Sequence, residues 1–246
     1  MKHIFYRMAA IAAIFLSASA TQAAIIDFEQ RVDSPFAPFA PSFGHEDEFY
    51  QSDFYFYTFS NASTAVTGDL VGAMFTDGGA DMCLGLVCPT NNSTSFYGAL
   101  NDGALAFGRS DEQSFTVNGF DASFIGALGA PLPPVSGLLR LQGVTSSGAS
   151  LTETYQLAGP NNAGALGFGS YQTSPTFAST MFKTVYAFGF ACNSLGSCEA
   201  FSSDKAQFAL DNLSVTAVPE PETTAMFALG LLAMGAAVRR RRQQSV

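Results

Sequence analysis

The chain has 246 residues, of which 48% are hydrophobic and only 13% are charged, and its formal net charge is −9. The segment 24–217 holds 18 acidic residues and only five basic ones, a net of −13, whereas the other basic residues lie at the two chain ends. Because phosphate backbones would repel so acidic a body, nucleic acid is excluded as a partner.

Residues 1–23 have the three-part pattern of a secretory signal peptide. A basic start precedes the apolar run 8–16, and small residues follow it. The apolar run is too short to span a bilayer on its own. The pattern predicts cleavage after Ala23, which makes Ala24 the first residue of the mature protein, with cleavage after Ala20 as the alternative. We therefore expect export by a Sec-type machinery.

Residues 24–217 are predicted to form one β domain with a full hydrophobic core. The chain contains 23 Gly, 11 Pro and 24 Phe but no Trp, which favours a β protein packed with aromatic rings. Short apolar or alternating runs are separated by turn residues, and no segment shows sustained helical periodicity. The fold class expected is therefore all-β, a two-sheet antiparallel sandwich of jelly-roll type. The predicted strands are 25–29, 49–59, 64–75, 114–117, 120–126, 137–144, 150–157, 181–191 and 206–216, with hairpin turns at 118–119 and 145–149.

The segment 49–59 has seven aromatic residues in 11 positions. On a strand, Phe54 and Phe56 point to one face while Tyr55 and Tyr57 point to the other. The Tyr face is a candidate ligand-binding platform on which sugar rings could stack. The alternative, which the absence of Trp favours, is that both faces belong to the core.

Four cysteines lie in the body. An even number of cysteines at short spacing in an exported chain predicts disulfides, and three pairings are open. We favour the two local pairings because each closes a small loop rich in Gly or Asn. Zinc is disfavoured, since neither spacing is Cys-x2-Cys and no histidine is nearby. The two predicted disulfides therefore join Cys83 to Cys88 and Cys192 to Cys198.

No catalytic motif is recognisable. His45 is the single histidine after the signal peptide, so any Ser-His-Asp or Cys-His mechanism would need it, but the acidic residues around it favour a solvated loop. Nucleophile-elbow, phosphate-loop and zinc-protease motifs are missing from the sequence. The segment 101–103, Asn-Asp-Gly, is an acidic turn that could bind ions at a surface, although plain turns more often have this sequence. We expect no enzymatic activity, although 18 acids leave a carboxylate pair open.

The C-terminal tail has three parts in a fixed order. A Pro-Glu-Pro segment at Pro219, Glu220 and Pro221 precedes the apolar segment 223–238, whose 16 residues would form about 24 Å of helix, slightly short of a bilayer core. The cluster Arg239, Arg240, Arg241 and Arg242 follows and should stay in the cytoplasm.

This arrangement resembles the PEP-CTERM sorting signal, here at 218–242. The resemblance implies recognition by an exosortase, with a transient anchor in the inner membrane before transfer to the cell surface or extracellular matrix. An ordinary membrane anchor is the alternative. The Gln207-Phe208-x-x-Asp211 sequence just before the tail is similar to a recurring subgroup of PEP-CTERM proteins.

The first and last predicted strands resemble those of jelly-roll modules related to carbohydrate-binding modules. The first strand ends in Phe-Glu at Glu29, and the last strand contains Asp-Asn at Asp211. The resemblance implies that these two strands pair and that Glu29 and Asp211, with Asp27 as a third candidate, hold a structural calcium ion, which prefers oxygen ligands. The alternative is that these acids only mark strand ends.

The function expected is that of an exported surface or matrix protein, structural or associated with exopolysaccharide. A carbohydrate-binding module with structural calcium is the first alternative. A surface hydrolase that uses carboxylates is the second.

Overall fold

The computed structural model divides the chain into two compact units, Gln22–Ala217 and a second one formed by Met1–Thr21 with Val218–Val246. The predicted signal peptide lies outside the described residues apart from Ala23, and so does the sorting tail apart from three helical positions. Among the residues described, no helix is both long and apolar enough to cross a membrane. The structure describes residues 23–30, 42–76, 83, 85–217, 230, 231 and 235.

The body is a sandwich of two seven-stranded antiparallel sheets, as the sequence predicts. Sheet I consists of β1 (Ala23–Ile26), β2 (Ser42–Gly44), β5 (Leu70–Phe75), β7 (Phe96–Ala99), β9 (Phe115–Phe124), β13 (Gly169–Gln172) and β16 (Phe208–Ala217). Sheet II consists of β3 (Glu48–Gln51), β4 (Phe54–Phe59), β8 (Ala104–Arg109), β11 (Val135–Val144), β12 (Ser150–Ala158), β14 (Thr184–Cys192) and β15 (Cys198–Glu199). A small third sheet pairs β6 (Leu86–Val87) with β10 (Gly126–Ala127).

Strand β16 is the most highly connected strand of sheet I. It pairs with β9 along one edge, and with β7 and then β1 along the other. The pairing of β1 with β16 confirms that the first and last strands of the body are neighbours. In sheet II the spatial order is β12-β11-β14-β8-β4-β3, and β15 pairs with β14.

The core between the sheets is filled mainly by phenylalanine rings. In β4 the alternation of aromatic residues buries Phe54 and Phe56, while Tyr55 and Tyr57 remain half-buried on the other side of the sheet. Phe49 stacks on Phe56 with ring centroids 4.9 Å apart. Such ring contacts contribute about 0.5–1.5 kcal/mol each beyond the area they bury.

One short helix, α1 (Pro175–Ser179), interrupts the strands of the described body. Its N-cap is Ser174, whose side chain accepts a hydrogen bond from the Phe177 backbone N–H, and proline stands at the first helical position. The helix buries Phe177 against Phe182, with ring centroids 4.6 Å apart.

The hairpin predicted at 145–149 is confirmed, because β11 and β12 pair on either side of it. The hairpin predicted at 118–119 is wrong: Asn118 and Gly119 lie inside the continuous strand β9. A tight hairpin needs positive φ at its central residues, and neither residue has it. The predicted strand 49–59 is in fact the hairpin of β3 and β4, which turns at Ser52 with φ of 52°.

Both local disulfides are confirmed. Cys83 pairs with Cys88, with Cα atoms 5.9 Å apart. Cys192 pairs with Cys198 and joins the facing positions of β14 and β15.

The Asn-Asp-Gly segment at 101–103 forms the turn between β7 and β8, and so connects the two sheets. Asn101 and Asp102 have φ of 51° and 56°, and the Gly103 N–H donates to the Leu100 carbonyl at 2.8 Å. These are the features of a type I′ turn. The Asp102 carboxylate is 1% exposed and accepts hydrogen bonds from three backbone N–H groups before β16. The donors are Ser203 at 2.9 Å, Asp204 at 2.9 Å and Ala206 at 2.7 Å.

Candidate functional site

The outer face of sheet II carries a cluster of half-buried aromatic side chains. Strand β8 runs between β4 and β14, and its outward positions hold the small residues Ala104, Ala106 and Gly108. Aromatic residues flank these positions, as in the row that pairs Tyr57 with Ala106 and Ala106 with Tyr186. We call this cluster the aromatic layer, and it comprises Tyr55, Tyr57, Phe59, Tyr186, Phe188 and Phe190.

The rings of the aromatic layer lie across β8. A Cβ atom on Gly108 would come within 2.7 Å of the Tyr55 hydroxyl oxygen, and that hydroxyl lies 3.5 Å from Thr184 Oγ1 on the far side of β8. The Phe59 and Tyr186 rings meet edge to face with centroids 6.1 Å apart. Small residues on β8 therefore leave room for aromatic rings that pack on the sheet and remain partly exposed to solvent.

An open cleft of about 570 Å³ lies at one end of the aromatic layer. Tyr50, which is 58% exposed, forms one wall next to Tyr55. The cleft is charged as well as aromatic, and its other lining residues are Glu48, Arg109, Ser110, Glu112, Lys183 and Thr184.

The two basic side chains of the cleft are already engaged within the protein. Arg109 Nε donates to Asp111 Oδ1 at 2.8 Å, and this hydrogen bond holds the pKa of the Asp111 carboxyl below its usual range. The Lys183 ammonium donates to the backbone carbonyl of Glu112. The pKa of the Tyr57 hydroxyl is raised by burial and by the nearby charges of Glu46 and Glu48. The Tyr57 hydroxyl therefore stays protonated and can donate a hydrogen bond.

The other half of the outer face is polar. On β11 and β12 the outward positions pair Gln142 with Thr152 and Arg140 with Thr154. Arg140 Nε donates to Thr154 Oγ1 at 3.0 Å. The Arg140 guanidinium carbon lies 4.7 Å from the ring centroid of Phe190. Aromatic rings and hydrogen-bonding side chains thus lie side by side on this face.

Tyr55 and Tyr57, the residues that the sequence nominates for ligand binding, both lie in the aromatic layer. Sequence reasoning missed Tyr186, Phe188 and Phe190. The alternation of aromatic with small residues in β14 was the available signal. Arg140 gave no local signal, since strand pairing alone brings it to this face.

The second candidate site lies where β1 ends beside β16. Asp211 is 1% exposed, and its Oδ2 accepts a hydrogen bond from Asn92 Nδ2 at 2.7 Å. Glu29 Oε1 accepts from the Ser95 backbone N–H at 2.6 Å. Burial raises the pKa of Asp211 to about 6, and the charges of Asp121 and Glu29 add to the effect. The structure therefore places Glu29 near enough to Asp211 for its charge to act on that carboxyl, and adds Asn92 and Asp121 to the site.

The calcium ion expected at this second site stays a prediction. Asp27, its third candidate ligand, accepts a hydrogen bond at Oδ1 from the Glu29 backbone N–H at 3.2 Å. Within the described part of the chain, no group of three or more His, Cys, Asp or Glu side chains is arranged to hold a metal ion. Calcium needs about six to eight oxygen ligands, so amide and backbone oxygens would have to complete the site.

Asp211 should make the stability of the domain depend on pH. In the unfolded chain its pKa would be about 3.9, whereas in the fold it is about 6. Between these values the folded state holds a proton that the unfolded state has lost, so the free energy of unfolding falls as the pH rises from about 4 to about 6. Above that interval, the free energy of unfolding is lower by about 3 kcal/mol than it is below pH 4. Urea unfolding at pH 4 and at pH 7, both in the presence of a chelator, measures this difference.

Asp211→Asn is the comparison for this measurement, because the pH dependence of all other groups cancels in the difference between the two proteins. We expect the variant to gain stability relative to the wild type between pH 4 and pH 7. A difference that does not change with pH would contradict the raised pKa.

His45 has a structural role in the loop before β3. Its ring Nδ1 accepts a hydrogen bond from the Ser60 backbone N–H at 3.0 Å, and its backbone N–H donates to the Asp69 carbonyl at 2.7 Å. The ring and the backbone of His45 together therefore connect two loop segments.

Comparison with known protein families identifies the tail. Residues 217–242 match the PEP-CTERM protein-sorting motif. The chain carries a PEP-CTERM sorting motif. The signal predicted at 218–242 is therefore confirmed, and the motif indicates an exported protein that is sorted to the cell surface and processed by an exosortase. The match covers the tail alone, and no curated protein matches the chain significantly.

Solved structures that resemble the chain include two carbohydrate-binding modules. TmCBM61, in complex with β-1,4-galactotriose, has 5% identity and a TM-score of 0.32, over 66% of this chain and 88% of that one. The CBM22-1 xylan-binding domain of Paenibacillus barcinonensis Xyn10C has 9% identity and a TM-score of 0.35, over 83% and 99%. The enzymatically active domain of bacteriophage CBA120 tailspike protein 4 has 11% identity and a TM-score of 0.30, over 68% and 20%.

Proposed function

We propose that this PEP-CTERM protein binds exopolysaccharide at the cell surface or in the extracellular matrix through its aromatic layer. The observation that carries the proposal is the row of partly exposed rings across β8, with Tyr55 and Tyr57 among them. Sugar rings present flat C–H faces that pack on aromatic rings, and the tyrosine hydroxyls can bond to sugar hydroxyls. The neighbouring Gln142 and Thr152 side chains add further hydrogen-bonding groups.

The proposed route to that location has three steps. A Sec-type machinery exports the chain, and the apolar segment 223–238 then anchors it transiently in the inner membrane. An exosortase recognises the tail and releases the body to the surface. The acidic body, with its net charge of −13 from 18 acidic and five basic residues, belongs to the part that meets the outside.

A binding role is supported over catalysis by the carboxyl groups whose pKa is shifted. Glycoside hydrolysis needs one carboxyl with a raised pKa to act as the acid. Asp111 has a lowered pKa because of its hydrogen bond to Arg109. The carboxyl whose pKa is raised among the described residues is Asp211, which is buried in the second candidate site.

We also propose a structural calcium ion at Glu29 and Asp211. These two carboxylates lie close enough for the charge of Glu29 to raise the pKa of Asp211, and a bound cation would relieve that repulsion. The unfolding measurement at pH 7 tests this when it is repeated with calcium chloride in place of chelator. Calcium should then stabilise the wild type but not Asp211→Asn, and equal stability of the wild type in both conditions would exclude the site.

The double variant Tyr55→Ala plus Tyr57→Ala should bind polysaccharide about 10- to 100-fold more weakly. Each stacking contact contributes about 0.5–1.5 kcal/mol, and about 1.4 kcal/mol corresponds to a tenfold change in Kd. Affinity electrophoresis against soluble galactan, xylan, dextran and polygalacturonate measures the change. Because both side chains are half-buried on an outer face, the fold should survive, and thermal melting checks this.

Two controls separate stacking from other effects. The variant Tyr55→Phe plus Tyr57→Phe keeps the rings and should retain most of the affinity. Leu195→Ala removes an apolar side chain that is 91% exposed elsewhere and should change nothing. The proposal fails if no polymer of the panel binds, or if the double alanine variant binds as tightly as the wild type.

A further inference from the structure

Among the described residues, Arg140 is a cation without an acidic partner, although the body is strongly acidic. The segment 24–217 has 18 acidic residues and five basic ones. Arg109, by contrast, forms an ion pair with Asp111. Across the described ranges, Arg140 makes no ion pair with a carboxylate. An arginine on the aromatic face that pairs with none of the described carboxylates needs an explanation.

The guanidinium of Arg140 is held in a fixed position. Its central carbon lies 4.7 Å from the ring centroid of Phe190 and 5.9 Å from that of Phe188. Its Nε donates to Thr154 Oγ1 at 3.0 Å. Contact with the rings and the hydrogen bond restrict the side chain before any ligand arrives, which lowers the entropy cost of binding. The two terminal nitrogens have no hydrogen-bond acceptor within the described part of the protein.

We propose that Arg140 binds the carboxylate of a uronic acid unit, and that the polymer held by the aromatic layer is therefore an acidic polysaccharide. This inference rests on the proposed function, since it names the class of ligand for the same face. An arginine fork matches the two oxygens of a carboxylate and forms paired charge-assisted hydrogen bonds with it. The neighbouring rings would pack on the same sugar chain.

The acidity of the body does not prevent this contact. At physiological ionic strength, charges separated by more than about 8 Å are largely screened where they are exposed to solvent. A carboxylate in direct contact with Arg140 is attracted at short range, while the distant acids repel it weakly. A preference for acidic over neutral polymer would therefore depend on this one side chain.

Arg140→Gln tests the inference, because glutamine keeps a polar side chain but removes the charge. The probes are polygalacturonate and its fully methyl-esterified form, which differ only in the charge of the carboxyl group. We expect the wild type to bind polygalacturonate about tenfold more tightly than the ester, since charge-assisted hydrogen bonds are among the stronger ones. Arg140→Gln should lose this preference and keep its affinity for the ester.

Lys205→Gln is the matched control, since it makes the same change in net charge. Lys205 lines a different cleft, near the disulfide at Cys192, and its replacement should leave the preference intact. Dextran sulfate and dextran form a second pair of probes. If the wild type binds the sulfated polymer but not polygalacturonate, and Arg140→Gln abolishes that binding, the anion recognised is a sulfate group and the assignment to a uronic acid is wrong.

The outcomes separate the two proposals. If the wild type binds polygalacturonate and its ester equally, or if Arg140→Gln keeps the preference, the inference is wrong and the proposed function stands. If no polymer binds at all, the proposed function is wrong and the inference falls with it.

Discussion

Replacing Asp102 with alanine should lower the free energy of unfolding by about 3 kcal/mol, because a buried carboxylate that accepts three backbone hydrogen bonds is lost. The Ala206 N–H is buried and would be left without a partner, whereas Ser203 and Asp204 are exposed and can bond to water. For a domain of this size, the melting temperature should fall by about 6–12 °C. Guanidinium unfolding with a fitted m-value distinguishes lost stability from a change in the folded state.

Asp111→Ala is the matched control for Asp102→Ala. Asp111 is also an aspartate with several hydrogen bonds, but its side chain is 51% exposed and its main partner is Arg109. Exposed ion pairs contribute about 0–1 kcal/mol, so this variant should melt within a few degrees of the wild type. If the two alanine variants were equally stable, the buried connection at Asp102 would have no energetic importance.

Deleting residues 218–246 should remove the protein from the cell-surface fraction and leave it as a soluble exported body. The matched motif at 217–242 would then be missing, and with it the signal that the exosortase recognises. Strand β16 ends at Ala217, so the truncated chain retains every strand of the body and should fold. Cell fractionation with an antibody against the body measures the change.

Deleting only residues 243–246 is the control for this experiment, because these four residues lie beyond the matched motif. That shorter deletion should leave the protein at the surface. Identical distribution of the full-length chain and of the chain that ends at Ala217 would refute sorting by the tail.

Local patterns were enough to predict much of this molecule. Alternation in 54–59 predicted which side chains of β4 enter the core, and the short cysteine spacings predicted both disulfides. The tail was recognisable because its three parts follow one another directly in the chain. In each case the interacting residues are close together in the sequence.

Contacts between distant segments could not be predicted. Asp211 bonds to Asn92 across 119 positions, and Asp102 bonds to Ala206 across 104. Nothing at Arg140 indicates that β11 would lie beside β14 and bring the guanidinium onto Phe190. The failed hairpin at 118–119 has the same origin, since pairing with β16 and β13 keeps Asn118 and Gly119 extended.

The position of β16 has a consequence for the order in which the body can form. A chain that crosses the membrane from its N-terminus exposes β1, β7 and β9 long before the strand that pairs with all three of them. Sheet I therefore stays incomplete until Ala217 has been exported. A prematurely terminated chain would lack both β16 and the matched sorting motif at 217–242, so that completion of sheet I and possession of the sorting motif depend on the same last part of the chain.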